Sequence, residues 1–209
     1  MGYAQGVEDR KLILCDFLEE WSLSELIQEC PRCGDFLLYC CPGNQRKRLS
    51  QPCHHYRIVF TDGARTDNGK PSAKAGIGIA YSRSYDGQRS KPITDMVDDY
   101  PLRSNQRAEL CAAKFGLEVL AEDDDRDSEG RERNWIIATD SEYVGNGWRT
   151  SKGTRPLNLD LFLALDALVA THEANSNVKI GFWRIPRAHN TIADNLAKMA
   201  AIHGDLATL

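Results

Sequence analysis

Four acidic residues stand apart from the other acids of this chain by where they fall. Asp62 follows Ile58-Val59-Phe60-Thr61 and Asp140 follows Ile136-Ile137-Ala138-Thr139, so each is expected where a buried strand leaves a sheet. Neighbouring strand ends lie about 5 Å apart. Two carboxylates that close in a partly desolvated setting repel, and they need a cation to stay ionised. Mg²⁺ suits a site made of oxygen donors alone. Glu109 lies among Ala108, Leu110, Ala112 and Ala113, one turn into an expected helix, and Asp194 sits in Ile192-Ala193-Asp194-Asn195-Leu196-Ala197 near another helix start. Taken singly, each is more simply a solvated helix acid or a partner of the N-terminal dipole. Taken together, they are candidates for one metal-holding cluster.

The elements that must carry these acids follow from periodicity. Tyr56 to Phe60 reads as a β-branched and aromatic strand, followed by a Gly-containing turn, a second strand over Ala75 to Tyr81 and a third near Ile93 to Asp98. Ser104 or Asn105 is placed to cap a helix running to about Ala121. Trp135 to Ala138 reads as a buried strand, Leu159 to Thr171 as an amphipathic helix, Val178 to Ile185 as a strand and Thr191 to Ile202 as a closing helix. The order β-β-β-α-β-α-β-α predicts an α/β domain over residues 55–209. Upstream, Asp9 to Gln28 carries a roughly helical apolar stripe, expected as one or two short helices, and residues 1–54 form a separate helical and Cys-rich appendage.

Five of the seven cysteines fall between Cys30 and Cys53. Cys30-Pro31-Arg32-Cys33-Gly34 has the form of a zinc knuckle, in which a two-residue spacing points both thiolates at one ion and Gly lets the backbone turn. A second pair must complete the tetrahedron. Cys40 or Cys41 with Cys53, His54 or His55 are the candidates; spacing does not choose among them, and Cys30, Cys33, Cys41 and Cys53 are the working set for a structural Zn²⁺. The simpler alternative is a group of reduced, partly buried thiols that pair on oxidation.

Thr61-Asp62-Gly63-Ala64, Asn105-Gln106-Arg107-Ala108-Glu109-Leu110, Ala138-Thr139-Asp140-Ser141 and Asn190-Thr191-Ile192-Ala193-Asp194-Asn195-Leu196-Ala197 follow one another along the chain. In type and order they resemble the successive motifs of type 1 ribonuclease H. The resemblance runs from about Tyr56 to Ala200, and the combination is far more specific than any single motif. It implies the RNase H-like fold, a five-stranded mixed sheet flanked by helices. It also implies hydrolysis of the RNA strand of an RNA/DNA hybrid with two Mg²⁺ ions, Mn²⁺ substituting, to leave 5′-phosphate and 3′-hydroxyl ends. Two metals about 4 Å apart suit that chemistry, one activating the attacking water and the other stabilising the departing oxygen. Carried over by motif, Asp62 bridges the metals, Glu109 and Asp140 hold one, and Asp194 holds the other.

The same resemblance assigns Asn68, Asn105 and Gln106 to minor-groove reading, with Glu109 also accepting from a 2′-hydroxyl, and it sets Ser104, Ser151 and Asn158 at positions like those that hold phosphate or flank that pocket. Such an enzyme reads sugar chemistry and helical shape in preference to base sequence; each polar residue is otherwise a turn or cap. Two departures stand out. Asp140-Ser141-Glu142-Tyr143-Val144 passes quickly to Gly147-Trp148-Arg149-Thr150, leaving out the basic protrusion of many relatives. That predicts greater dependence on Arg149, Lys152, Arg155 or the N-terminal segment for hybrid affinity. Ile185-Pro186-Arg187-Ala188-His189-Asn190 shortens the loop on which relatives carry a mobile histidine. His189 is the candidate for that catalytic role, against a reading as a surface histidine capping the next helix.

With 209 residues the chain can bury one good core and still carry an appendage. Its 42% apolar and 27% charged content excludes extended disorder. A formal net charge of -4 argues mildly against indiscriminate polyanion binding and leaves local patches and bound cations to decide. No run reaches roughly 18 apolar residues, and no basic segment followed by an apolar one opens the chain. A monomer acting inside the cell, in cytoplasm or nucleus and without a membrane, is therefore expected. The rival readings are a noncatalytic nucleic-acid binding module with the same fold, disfavoured by the intact acids, and an integrase-like or resolvase-like nuclease, disfavoured by Asn68, Asn105 and Gln106.

Overall fold

A computed structural model describes residues 5–40, 54–66, 73–122, 133–145 and 157–204. In chain order these residues form β1 (Gly6–Glu8), β2 (Lys11–Ile13), α1 (Asp16–Glu19), α2 (Leu23–Leu26), β3 (Ile27–Glu29), β4 (Phe36–Leu38), β5 (Tyr56–Arg65), β6 (Ala75–Ala80), β7 (Gln88–Pro92), α3 (Asn105–Glu122), β8 (Arg133–Thr139), α4 (Glu142–Gly145), α5 (Leu159–Asn175), β9 (Val178–Arg184) and α6 (Thr191–His203). The strands β5 to β9 are the expected five, within a mixed sheet that counts nine strands among the described residues. β5 pairs antiparallel with β6, β6 antiparallel with β7, and β5, β8 and β9 run parallel.

Two strand expectations are corrected. The third strand lies at Gln88–Pro92, not at Ile93 to Asp98, because pairing with β6 runs from Gly76 opposite Pro92 to Ala80 opposite Gln88. This edge strand is mostly polar and half-exposed, so it carries no apolar alternation to read. The first strand does not end before Asp62. β8 stops pairing at Phe60 opposite Ala138, while β6 holds β5 to Arg65 opposite Ala75, so Asp62 lies within a strand whose one edge has just become free.

The N-terminal residues do not stand apart from this sheet. In place of a continuous helical stripe, Asp9 and Arg10 adopt left-handed φ of 46° and 62° and turn the β1–β2 hairpin, whose Lys11 lies beside Phe182 of β9. Two single-turn helices follow, the second held by a reciprocal capping box between Ser22 and Glu25. β4 then pairs with the first part of β5 at Leu37 opposite Arg57. The segment thus grips both edges of the parallel core. Its middle, with Cys15, Leu18 and Leu26, packs on Tyr56, Ile58, Phe60, Ile136 and Ala138.

The alternation of the strands sorts the two faces. Val59, Trp135, Ile137 and Ile180 point to α3 and α5, while Ile58, Phe60, Ile136 and Ala138 point to the N-terminal segment and the start of α6. Ile136 is fully buried, and burial of a side chain of this class stabilises by about 1.5–3 kcal/mol. Two glycines set how closely helices approach. A Cβ on Gly63 would lie 2.2 Å from the backbone carbon of Ala108 in α3, and one on Gly78 would lie 2.0 Å from the carbonyl oxygen of Ala193 in α6. Both contacts bring an acid-bearing helix turn onto β5 or its neighbour.

Candidate active site

The parallel register of β5 and β8, continued two residues past Phe60 and Ala138, sets Asp62 beside Asp140, close enough for the two carboxyls to repel. Both have the parity of the residues that face α6. Asp194, in the first turn of α6, comes to this side. Glu109, one turn into α3, reaches it past Gly63, whose backbone N–H donates to Glu109 Oε2 at 3.2 Å. Asp62, Glu109 and Asp194 are more than nine-tenths buried, and the Asp140 side chain is 14% exposed. The four acids singled out from sequence therefore meet in one cleft.

Their electrostatics are those of an acid cluster short of positive charge. Burial pushes the Asp62 carboxyl up from 3.8 to about 7, with Asp140 and then Asp194 adding repulsion. Burial likewise raises Glu109 from 4.5 to about 9, reinforced by Asp62 and Asp140. Asp194 goes the other way: burial pushes it up, but hydrogen bonds from Lys198 and Arg187 outweigh it and hold it below the usual range. Arg187 Nη2 lies 2.6 Å from Asp194 Oδ1 and its Nε lies 4.0 Å from Asp140 Oδ2, while Lys198 pairs with Asp194 from the next turn. Crowded oxygen donors, with Asp62 and Glu109 raised by burial and Asp194 paired with side-chain cations, suit a divalent metal.

Several residues of this neighbourhood were not singled out by sequence reasoning. Asn190 is almost fully buried and its Nδ2 donates both to Asp140 Oδ1 at 2.7 Å and to the carbonyl of Thr61 at 3.0 Å, so it ties β5, β8 and α6 together at the acids. Arg107, between Gln106 and Glu109, is buried against two acids. Its Nε and Nη2 donate to Asp98 at 2.8 and 2.6 Å, and Nη1 and Nη2 donate to Asp160 at 3.1 and 2.7 Å. Its guanidinium also stacks 4.2 Å from the Tyr100 ring centroid. The Asp194–Lys198 pair was legible as an i, i+4 spacing; nothing in the spacing of Arg107 or Asn190 announces their partners.

The remaining candidates are distributed as follows. Ser104 caps α3, its Oγ accepting from Arg107 N at 3.2 Å; Asn105 and Gln106 are exposed on the first turn beyond it. Asn158 adopts φ 61° just before α5, a left-handed conformation that asparagine tolerates, with Oδ1 accepting from Arg107 at 3.4 Å and Nδ2 donating to the Tyr143 hydroxyl at 3.2 Å. His189 is exposed on a 3-10 turn, Arg187–His189, and lines a cavity of about 320 Å³ together with Leu23 and Phe36 of the N-terminal segment. Asn68, Ser151 and the 146–156 stretch where the basic protrusion was expected to be missing lie outside the described residues, as do Cys41 and Cys53. Cys30 and Cys33 are brought together, and the third donor beside them is His54.

A family model described as RNase H matches residues 54–202. Among curated proteins, the chain is 29% identical to mouse ribonuclease H1 over 157 residues, 69% of this chain and 50% of that protein. It is 30% identical to the ribonuclease H of Afipia carboxidovorans over 164 residues, 72% of this chain and 95% of that protein. The chain thus spans about half the length of the mammalian relatives it matches. Among solved structures, LC11-RNase H1, isolated from compost by a metagenomic approach, superimposes with a TM-score of 0.52 at 25% identity, covering 71% of this chain and 96% of that one. The same protein in complex with RNA/DNA hybrid gives 0.51 at 23%, covering 69% and 95%.

Proposed function

Since the chain belongs to the ribonuclease H family, we propose that it is an endoribonuclease that hydrolyses the RNA strand of RNA/DNA hybrids and leaves 5′-phosphate and 3′-hydroxyl ends. The family is divalent-metal dependent. The observation that carries the reading is the meeting of Asp62, Glu109, Asp140 and Asp194, in the family's motif order, within one buried cleft beside the exposed Asn105 and Gln106. Asp62, Glu109, Asp140 and Asp194 would together hold the divalent ions, Mg²⁺ with Mn²⁺ able to replace it. When bound, such ions supply Lewis-acid stabilisation of phosphoryl oxygens and an activated water.

The rest of the work falls to the chain itself. Asn190 orients Asp140 and locks it to β5 through Thr61. The Gly63 N–H holds Glu109 at the cleft edge, where its carboxylate can also accept from a 2′-hydroxyl. Arg187 and Lys198 pair with Asp194, and Arg187, with its side chain 69% exposed, is placed to contact a phosphate. Asn68, Asn105 and Gln106 are assigned to the minor groove, and Ser104, Ser151 and Asn158 to phosphate positions along it. His189 is assigned to proton transfer or product release. We further place the protein as a monomer in the cytoplasm or nucleus. The described cysteines form no disulfide, and no helix of the described residues is long and apolar enough to cross a membrane.

The test incubates labelled RNA/DNA hybrid, duplex DNA and duplex RNA with the protein, with and without Mg²⁺, beside an Asp140→Asn variant. The expected result is Mg²⁺-dependent cutting confined to the RNA of the hybrid and reduced at least about a hundredfold in the variant. Cutting of duplex DNA at the same rate would favour the integrase-like reading. Hybrid binding without any cutting would favour the noncatalytic one.

A further inference from the structure

Outside the cleft, one group of side chains has metal-ligand chemistry at metal-ligand spacing. Cys30 and Cys33 sit on the turn between β3 and β4. Gly34, at φ 79°, carries the chain through it, with Gly34 N donating to the Cys30 carbonyl at 2.8 Å and Cys30 N donating to the Asp35 carbonyl at 2.9 Å. Across the junction, His54 Nε2 lies 3.3 Å from Cys33 Sγ, and all three donor atoms lie within 4.8 Å of one another. Around a tetrahedral zinc, with bonds of about 2.3 Å to sulfur and 2.0–2.1 Å to nitrogen, donor atoms stand about 3.5–3.8 Å apart.

The neighbouring thiol and imidazole are otherwise engaged. His55 Nδ1 lies 3.6 Å from Cys40 Sγ and its Nε2 lies 3.2 Å from Asn134 Nδ2, so both ring nitrogens already have partners away from the turn. This separates His54 from His55 and Cys40 from the pair at Cys30 and Cys33, a choice that spacing along the chain left open.

We propose that Cys30, Cys33 and His54 bind Zn²⁺ and thereby pin the N-terminal segment to the start of β5, the strand that carries Asp62. The same joint is braced from the side by Arg57 of β5, whose Nη2 lies 3.4 Å from the buried Asp35. Binding releases the thiol protons and closes the chain between the β3–β4 turn and β5, so the free energy of coordination becomes free energy of folding. A fourth donor completes the tetrahedron; Cys41 and Cys53 lie outside the described residues and enter the test as variants. The zinc donors are separate from the four acids, so zinc content and hybrid cutting are read independently.

Elemental analysis of the purified full-length chain, followed by exchange with Co²⁺ as a spectroscopic probe, tests it. About one Zn²⁺ per chain is expected, with sulfur-to-cobalt charge-transfer absorption after exchange. Cys33→Ser and His54→Ala should lose the zinc and unfold at lower temperature, Cys40→Ala should keep it, and His54→Cys should restore binding, which guards against mere misfolding. Cys41→Ala and Cys53→Ala, measured alongside, identify the fourth donor by whichever lowers zinc affinity, or water if neither does. A chain that takes up neither Zn²⁺ nor Co²⁺ after reduction, one that contains only a Cys30–Cys33 disulfide, or one whose zinc is indifferent to His54→Ala would overturn the site.

Discussion

Two clusters of buried charge lie a few residues apart on α3 and are assembled in opposite ways. Around Arg107 a cation meets its opposites: Asp98 takes the guanidinium edge-on, Asp160 takes the other face of the fork, and Tyr100 stacks beneath. Asp160 is held below the ordinary carboxylate range by the hydrogen bond from Arg107, and the Arg107 proton is bound more tightly chiefly through Asp98. Around Glu109, acid meets acid, and burial together with mutual repulsion lifts Glu109 and Asp62 far above their ordinary values. Compensated charge makes the first cluster a structural joint between the loop after β7, α3 and α5. In the second only Asp194 is compensated, by Arg187 and Lys198, which suits the cluster to cations. The joint holds the helix on which that cluster depends.

The strongest way to break this contrast is Arg107→Met, which strands Asp98 without its cation. Removing one partner of a buried pair is expected to lower folding stability by about 3–5 kcal/mol, readable by denaturant unfolding. A loss under about 1 kcal/mol would mean that the joint bears no weight. Asn190→Ala acts on the other cluster, freeing Asp140 and the Thr61 carbonyl from their shared donor. Turnover on hybrid should fall by roughly 10–100-fold, the range for groups that orient metal ligands, with KM changed little. An equal loss of binding and turnover would assign Asn190 to substrate instead.

The contrast also predicts a pH signature for the metal-free protein. Asp62 and Glu109 have folded-state values of about 7 and about 9 against ordinary values of 3.8 and 4.5. Between those limits the folded state holds protons that the unfolded chain has released, so stability should fall as pH rises from about 5 to 9. Asp194, shifted downward, contributes in the opposite sense, losing its stabilisation only at more acidic pH. Asp62→Asn should flatten the decline in Tm and raise Tm at pH 8 by a few degrees, while Mg²⁺ should do the same for the unmodified chain. A Tm that climbs with pH in the absence of metal would contradict the cluster's electrostatics. The smallest effect is expected at His189, exposed on its turn beside the N-terminal segment: His189→Ala should lower turnover several-fold, and unchanged activity would remove it from the reaction.

Much of this was legible in order along the chain. The strands carrying Asp62 and Asp140, the helices carrying Glu109 and Asp194, and the four acidic motifs are local patterns, because apolar periodicity and helix starts depend on neighbours a few residues away. β7 was misplaced because an edge strand needs no apolar alternation, and the N-terminal stripe was read as helix because three-residue strands are too short to show a period. Their places depend instead on pairing with β6, β9 and β5.

By itself, then, the sequence singled out the four acids that the fold brings together, the RNase H-like succession of elements and the presence of a cysteine turn with metal-binding spacing. Only the tertiary structure decided that Asn190 clamps Asp140 to β5, that Arg107 is neutralised by residues 9 and 53 positions away, and that His54 stands with Cys30 and Cys33 while His55 turns to Cys40. Each of those outcomes depends on distances across the sheet, and a hydrogen bond or a ligand set is decided by which atoms arrive within about 3 Å, whatever their separation along the chain.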